Sequence, residues 1–121
     1  MNETFLIDTH SHINMIEDLS IDEVLENASV NHVKKIIVPA ASTADIDEVY
    51  NLSQKYENVY CYLGIHPEDA KNWSDGLADK IRVYAQSPKV LGIGEIGLDY
   101  YWDKSYIDVQ KEVFIKQIEL A

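Results

Sequence analysis

The sequence predicts an α/β protein built on a parallel β-sheet. Short apolar runs typical of strands alternate with helical patterns, and four such strand–helix units fill the 121 residues at roughly thirty residues each. This alternation indicates parallel strands joined by right-handed crossovers. Four units are half of an eight-stranded barrel, which typically takes ~250 residues. We therefore expect residues 1–121 to form a parallel sheet of about four β/α units, the number in half of such a barrel.

Helix caps and apolar spacing define the first two units. A short apolar run, Phe5 to His10, precedes the segment Ser20 to Glu23, which has the pattern of a capping box. The second strand, Lys35 to Ala41, has the unbroken apolar character of a strand buried on both faces. We expect Ser42 or Thr43 to cap the second helix. The two helices should turn these residues towards the core: Ile21, Val24, Leu25 and Ala28, then Ile46, Val49, Tyr50 and Ser53.

The third and fourth units follow the same pattern. Strand Val59 to Ile65 leads to a helix that Ser74 caps and Pro88 ends. Strand Val90 to Glu95 leads to a helix that begins near Ser105 and continues to the end of the chain. The expected core-facing residues are Leu77, Ile81 and Tyr84, then Val109, Val113, Phe114 and Ile118. The acidic cluster Asp45, Asp47 and Glu48 is expected to form a solvated helix face.

Composition narrows the classes of function. The chain has 10 Lys and Arg against 21 Asp and Glu, a formal net charge of −11, which argues against a protein that coats nucleic acid with basic side chains. A bound metal could still attract phosphate, because a cation inverts the local field. The single cysteine, Cys61, excludes an internal disulfide and is expected to be a small core residue. No apolar run reaches the ~18 residues of a membrane span, and Met1 to Asp8 lacks the pattern of a secretory signal, so we expect a cytoplasmic protein.

Titratable side chains follow the end of the first predicted strand. In the segment Asp8 to His12, strand alternation places Asp8, His10 and His12 on one face. Two imidazoles from alternate positions can bind one metal ion, and a carboxylate partner extends the choice from Zn to Mn or Mg. A polar loop after a strand explains a lone His-x-His equally well, so the motif needs support from other strands.

Two further strands supply that support. Glu95 shares a strand face with Leu91 and Ile93, so we expect a buried carboxylate that needs a partner or a metal. The alternative is a glutamate turned to solvent at the strand exit. Pro67 favours an extended conformation for His66, which would place this histidine at the same edge. In barrels and doubly wound sheets, the carboxyl ends of the strands carry the active site.

Three segments resemble the TatD family of metal-dependent deoxyribonucleases, within the amidohydrolase-like barrel superfamily. They are Asp8 to His12, Gly64 to Pro67 and Gly94 to Tyr100, and the fourth helix also fits through Gln110, Phe114, Gln117, Leu120 and Ala121. The resemblance implies a (β/α)8 TIM barrel with one or two divalent ions, Zn, Mg or Mn, that hydrolyses DNA by metal-activated water. It implies metal ligands at His10, His12 and Glu95, a catalytic role for the bridging Glu95, and substrate binding by His66 and Asp99.

The resemblance extends over essentially the whole chain but covers only the N-terminal half of the family's barrel. The resemblance also implies two metal-binding histidines on strands five and six and an aspartate after strand eight, which would lie beyond the fourth helix. Two alternatives therefore stay open: a non-catalytic half-barrel remnant, and another hydrolase of the amidohydrolase-like superfamily. If the 121 residues are the whole chain, the open edges of the first and fourth strands would let two copies pair as a homodimer.

Overall fold

Four parallel strands form one sheet in the computed structural model, which describes residues 3–121. Met1 and Asn2, part of the segment that we expect not to be a secretory signal, lie outside the described residues. The strands are β1 (Leu6–Asp8), β2 (Val33–Pro39), β3 (Val59–Tyr62) and β4 (Val90–Gly92). The helices are α1 (Ile21–Val30), α2 (Ile46–Lys55), α3 (Asp75–Tyr84) and α4 (Ile107–Leu120), with short 3₁₀ helices at Ile13–Met15 and Pro67–Asn72.

The strands lie in the sheet in chain order, β1-β2-β3-β4, and each neighbouring pair is parallel. At the centre of the sheet, Val38 of β2 pairs with Cys61 of β3, and Cys61 pairs with Val90 of β4. A helical segment precedes each return to the sheet, so every connection is a crossover. The predicted alternation of strands and helices is therefore confirmed, and β1 and β4 form the two edges of the sheet.

The core lies between one face of the sheet and the helices. Val38, Val59, Cys61 and Leu63 point to this face and are completely buried. Ile81 of α3 is also completely buried against them. The other buried contributors from the second unit are Ile36, Ala40, Ile46 and Val49. The expectation that Cys61 is a core residue is confirmed.

The opposite face of the sheet is open. Ile7 of β1 and Leu91 of β4 are 48% and 49% exposed, and they flank the more central Ile37 and Tyr60 on one shallow surface. The edge strand β1 is exposed over its whole length, Leu6–Asp8. A closed barrel would bury this face as its interior. The predicted open face and open edges are thus present in the described part of the chain.

The predicted caps are correct for α1 and α3. The Ser20 hydroxyl accepts a hydrogen bond from the Glu23 amide, while the Glu23 carboxylate accepts one from the Ser20 amide at 2.8 Å. This reciprocal pair satisfies two amides at the start of α1. The Ser74 hydroxyl likewise accepts from the Leu77 amide at 3.1 Å at the start of α3.

The predicted cap of α2 is wrong, as is the assignment of Asp45 to a solvated face. The helix starts after Asp45, and neither Ser42 nor Thr43 caps it. The Asp45 side chain is buried because its carboxylate accepts hydrogen bonds from the amides of Ala41 and Ser42 at 3.0–3.1 Å. This carboxylate therefore stabilises the loop that follows β2.

The predicted start of α4 is correct to within two residues, but one of its predicted core residues is wrong. The helix begins at Ile107, and the Ser105 amide instead donates to the Asp103 carboxylate at 2.8 Å. Ile118, expected in the core, is 53% exposed. The buried residues of this helix are Gln110, Val113 and Gln117. No helix among residues 3–121 combines the length and apolarity that crossing a membrane requires.

Candidate metal centre

The candidate site lies at the carboxyl ends of the strands, and backbone hydrogen bonds hold its segments there. His10 and His12 follow β1, and the Ser11 amide between them donates to the Ile37 carbonyl of β2 at 3.1 Å. Glu95 follows β4, and its own amide donates to the Ala40 carbonyl after β2 at 3.1 Å. The segments after the two edge strands are therefore both anchored on β2.

The side chains of His10, His12 and Glu95 converge on one point. The two Nε2 atoms of the histidines are 3.3 Å apart. Oε1 of Glu95 lies 3.6 Å from His10 Nε2, and Oε2 lies 3.5 Å from His12 Nε2. Two ligand atoms at ~2.0–2.1 Å from a tetrahedral zinc ion are themselves separated by ~3.3–3.4 Å. The spacing of these three side chains therefore fits a shared divalent ion.

The chemistry of the donor set also fits a metal. His12 and Glu95 are half-buried, with 29% and 27% of their side chains exposed, while His10 is 53% exposed. The His12 Nδ1 atom is buried and has no hydrogen-bond partner among residues 3–121. A proton on Nδ1 leaves the Nε2 lone pair free for a cation. Two imidazoles and a carboxylate suit zinc, and the carboxylate also admits manganese or magnesium.

A contact between two glycines brings Glu95 to the site. A Cβ atom on Gly64 would lie 2.9 Å from backbone atoms of Gly94, closer than a real side chain tolerates. The Gly94 amide donates to the Leu63 carbonyl at 3.1 Å, so the chain after β4 lies directly against the end of β3. Because Glu95 is the next residue, the small size of Gly64 is what permits its position.

Two expectations about this cluster differ from the structure. Asp8 does not join the three ligands, because its carboxylate accepts a hydrogen bond from the His10 amide at 3.1 Å. Glu95 is half-buried, not fully buried, because β4 ends at Gly92 and the strand alternation that would bury it ends there too. Leu91, expected to share its buried face, is 49% exposed on the open side of the sheet.

His66 and Asp99 lie after β3 and β4 but outside the three-residue cluster. The His66 Nδ1 atom accepts a hydrogen bond from the Glu68 amide at 3.1 Å and so caps the 3₁₀ helix Pro67–Asn72. The Asp99 carboxylate accepts from the Tyr101 amide at 3.0 Å. Nε2 of His66 and the second oxygen of Asp99 are not used by these bonds. Their role in substrate binding stays a prediction.

The two buried glutamines of α4 support the site, a role that the sequence pattern did not predict. The Gln110 side chain accepts from the Asp99 amide and donates to the Asp99 carbonyl, both at 2.8 Å. Gln117, two helical turns later, makes the same pair of bonds to Ile65, the residue before His66. The sequence feature that could have indicated this role is the spacing of Gln110 and Gln117, seven residues apart on the helix face that also carries Val113.

The fold and the cluster define a class of protein: a β/α-barrel type protein with a candidate metal site at the carboxyl edge of its sheet. The chain belongs to the family described as TatD related DNase, whose model matches residues 7–121. The resemblance of the three sequence segments is thereby confirmed.

Individual relatives agree with this assignment. The chain is 39% identical over 117 residues to the "Uncharacterized metal-dependent hydrolase YabD" of Bacillus subtilis, covering 96% of this chain and 46% of that protein. It is 31% identical over 100 residues to the "3'-5' ssDNA/RNA exonuclease TatD" of Cronobacter turicensis, covering 83% of this chain and 38% of the relative. The chain thus spans about half the length, or less, of these curated relatives.

A solved structure confirms the fold class. The crystal structure of YjjV, a TatD homologue from Escherichia coli K12, matches with a TM-score of 0.81 at 34% identity. The match covers 95% of this chain and 46% of the YjjV chain. The chain therefore has the fold of about four β/α units of a TIM-barrel protein, as predicted.

Proposed function

We propose that residues 1–121 are the N-terminal half of a metal-dependent hydrolase that cleaves phosphodiester bonds in DNA. The observation that carries this proposal is the convergence of His10, His12 and Glu95 within 4.8 Å at the carboxyl edge of the sheet. Support for the substrate comes from the relative named as an ssDNA/RNA exonuclease. The predicted cytoplasmic location is part of the same proposal.

His10 and His12 bind the ion through Nε2, and Glu95 is the third ligand. Oε1 of Glu95 faces His10 and Oε2 faces His12, so either carboxylate oxygen could join a histidine in holding an ion. A divalent ion bound by these residues would supply Lewis acidity, lowering the pKa of a bound water and offsetting phosphate charge. The catalytic role of Glu95 is to orient this centre, since its amide is anchored to the Ala40 carbonyl. His66 and Asp99 bind the substrate beside it.

The charge of the chain favours a restricted mode of DNA binding. With a net charge of −11, the protein repels the phosphates of a long duplex over most of its surface. Attraction is then concentrated at the metal centre, where the local field is positive. We therefore propose strand ends or short single strands as substrates, which need few phosphate contacts.

Metal titration of the purified protein tests the site directly. Isothermal titration with Zn²⁺ or Mn²⁺ should show at least one tight site, and His10→Ala or His12→Ala should weaken it by tenfold or more. His32→Asn is the matched control, because His32 is an exposed histidine with a positive φ of 66° that asparagine tolerates. Equal affinities in His10→Ala and His32→Asn would reject the site.

Parallel assays separate the proposed reaction from its alternatives. Labelled single-stranded DNA, duplex DNA and RNA are assayed beside bis(p-nitrophenyl) phosphate and a lactone. DNA cleavage that is lost in His10→Ala supports the nuclease. Lactone hydrolysis alone would indicate another amidohydrolase-like enzyme, and tight metal binding without hydrolysis of any of these would indicate a non-catalytic remnant.

The open face of the sheet needs another protein segment to cover it. Ile7 and Leu91 lie about half exposed at its two sides, a surface that water disfavours. We propose that the second half of a longer chain covers it. If the 121 residues are the whole polypeptide, a second copy of this chain takes that place as a homodimer, and each copy contributes His10, His12 and Glu95 to a shared edge.

A further inference from the structure

Two aromatic side chains stand out into solvent on the loop between β4 and α4. Tyr101 and Trp102 are 79% and 75% exposed, and their rings meet edge to face with centroids 4.6 Å apart. This loop contains Glu95 near its start and therefore leaves the sheet at the same edge as the metal ligands. Exposing two large adjacent rings is costly in water, which points to a ligand.

The structure connects this aromatic pair to Asp99 and to the residue that follows His66. The Tyr101 amide donates to the Asp99 carboxylate, and the backbone of Asp99 is held in turn by the buried Gln110. Trp102 lines a groove of about 200 Å³ together with Pro67, the residue that follows His66. The pair thus stands on a loop that the buried core fixes, next to the residues assigned to substrate.

The composition of the groove selects the part of a nucleic acid that it can hold. It is lined by Trp102, Tyr106, Glu68 and Asp103, and the Lys71 ammonium lies 5.2 Å from the Tyr106 ring, so two acidic residues outnumber one cation. The carboxylates disfavour a phosphate, whereas the rings favour a flat, neutral group. A nucleobase is such a group, and aromatic side chains stack on bases with little regard to sequence. In a duplex the base faces are already stacked, so the ligand must be unpaired.

We propose that Tyr101 and Trp102 form a stacking platform for an unpaired base of single-stranded nucleic acid. This inference rests on the proposed function, since the neighbouring phosphate would lie at the centre formed by His10, His12 and Glu95. The platform supplies attraction that the acidic surface lacks. It also makes single strands better substrates than duplexes.

Tryptophan fluorescence tests the platform without any catalytic turnover. The chain has two tryptophans, of which Trp102 is exposed and Trp73 is partly buried against the core. A dT12 oligonucleotide should quench the Trp73→Phe variant, which retains Trp102, and should leave Trp102→Phe nearly unquenched. An abasic strand of the same length should quench neither, because it offers phosphates without bases.

Affinity measurements with matched variants complete the test. Tyr101→Ala and Trp102→Ala should each weaken dT12 binding by about 5-fold to about 100-fold, while Trp102→Phe, which restores a ring, should recover most of it. The affinity for Mn²⁺, which involves neither a base nor an aromatic ring, should stay at the wild-type value in all of them. Circular dichroism confirms that each variant is folded.

Distinct outcomes identify which proposal fails. Unchanged dT12 affinity in Trp102→Ala, together with metal binding that His10→Ala abolishes, would overturn the platform and leave the metal centre standing. Trp102 fluorescence that changes with protein concentration and not with dT12 would assign the rings to a protein interface, which also overturns the platform. If the wild-type protein does not hydrolyse bis(p-nitrophenyl) phosphate, that result would count against the proposed function itself.

Discussion

Gln117 of α4 forms hydrogen bonds with both backbone groups of Ile65. Its Oε1 accepts from the Ile65 amide at 2.7 Å, and its Nε2 donates to the Ile65 carbonyl at 3.1 Å. Both residues are almost completely buried, at 1% and 0% exposure. Ile65 lies between Gly64, which contacts the backbone before Glu95, and His66. The fourth helix therefore fixes the strand end on which two parts of the candidate site depend.

Replacing Gln117 with alanine should both destabilise the protein and loosen this strand end. The change leaves the buried amide and carbonyl of Ile65 without partners, at a cost of about 1–3 kcal/mol for each group. Native-state hydrogen exchange should then show faster exchange of the Ile65 amide. Val113→Ala is the matched control, because Val113 is buried on the same helix face and bonds to no loop. Equal protection of Ile65 in both variants would contradict the proposed support.

Removing the Tyr84 hydroxyl should lower stability at neutral pH and not in acid. This hydroxyl donates to the Asp47 carboxylate at 2.6 Å, and Lys80 donates to its other oxygen at 3.1 Å. The Tyr84 bond first, and the Lys80 bond second, hold the pKa of Asp47 below its ordinary value of 3.8. Because the pKa is lowered by folding, the ionised carboxylate stabilises the fold above pH 3.8, and this contribution is lost as the pH falls through the folded value.

Urea unfolding of Tyr84→Phe at several pH values measures this effect. The variant should be less stable than wild type at pH 7, and the difference should shrink below about pH 4 as Asp47 is protonated. The effect should be small, because the Asp47 side chain is 54% exposed. Tyr50→Phe is the control, since Tyr50 stacks on Tyr84 at 3.8 Å and lacks the bond to Asp47. A difference that grows in acid would contradict the assignment.

The Cys61 thiol should resist modification in the folded protein. Its side chain is fully buried, and this burial raises the pKa of the thiol above its ordinary value, so little thiolate forms at neutral pH. Ellman's reagent should react slowly with native protein and rapidly in urea. The reaction reports on Cys61 alone, because the chain has a single cysteine. Rapid reaction under native conditions would show that β3 opens readily.

The sequence correctly predicted the features that depend on residues close together in the chain. The caps at Ser20 and Ser74 are contacts within one helical turn, and the apolar run of β2 is buried wherever it lies in the sheet. The start of α2 was wrong because the Asp45 side chain bonds to the preceding loop, not to the helix. Hydrophobicity correctly placed Val113 in the core, but it put Ile118 there as well and missed Gln110 and Gln117, whose buried amides bond to backbone far away in sequence.

In the candidate site, too, contacts within one segment were predictable from the sequence and contacts between distant segments were not. The spacing of His10 and His12 follows from a single segment and predicts their convergence, whereas the position of Glu95 depends on a contact between Gly64 and Gly94, two different loops. Its partial exposure follows from the end of β4 at Gly92, which is earlier than the strand pattern predicted. The platform of Tyr101 and Trp102 was not predicted, since exposure is a property of the folded chain.

The open face of the sheet predicts self-association of a polypeptide limited to these residues. Phe5 and Leu6 on the β1 edge are 49% and 58% exposed, and β1 presents unpaired backbone groups on its outer side. Intact mass of the native protein comes first, because a chain near twice 13.8 kDa would carry its own second half and cover this face. A native chain of 13.8 kDa should instead sediment as a dimer or larger species.

Charged substitutions locate the interface in that case. Leu6→Lys should shift a 13.8 kDa chain towards the monomer, because a charge on an edge strand opposes pairing with another edge. Val83→Lys is the control, since Val83 is 63% exposed on α3, on the helical side of the sheet, and should leave the sedimentation unchanged. A folded 13.8 kDa monomer that does not bind a hydrophobic dye would show that the exposed face needs no cover, and the homodimer would be wrong. If the chain is a dimer, metal titration should give equal occupancy per chain, because each copy carries its own His10, His12 and Glu95.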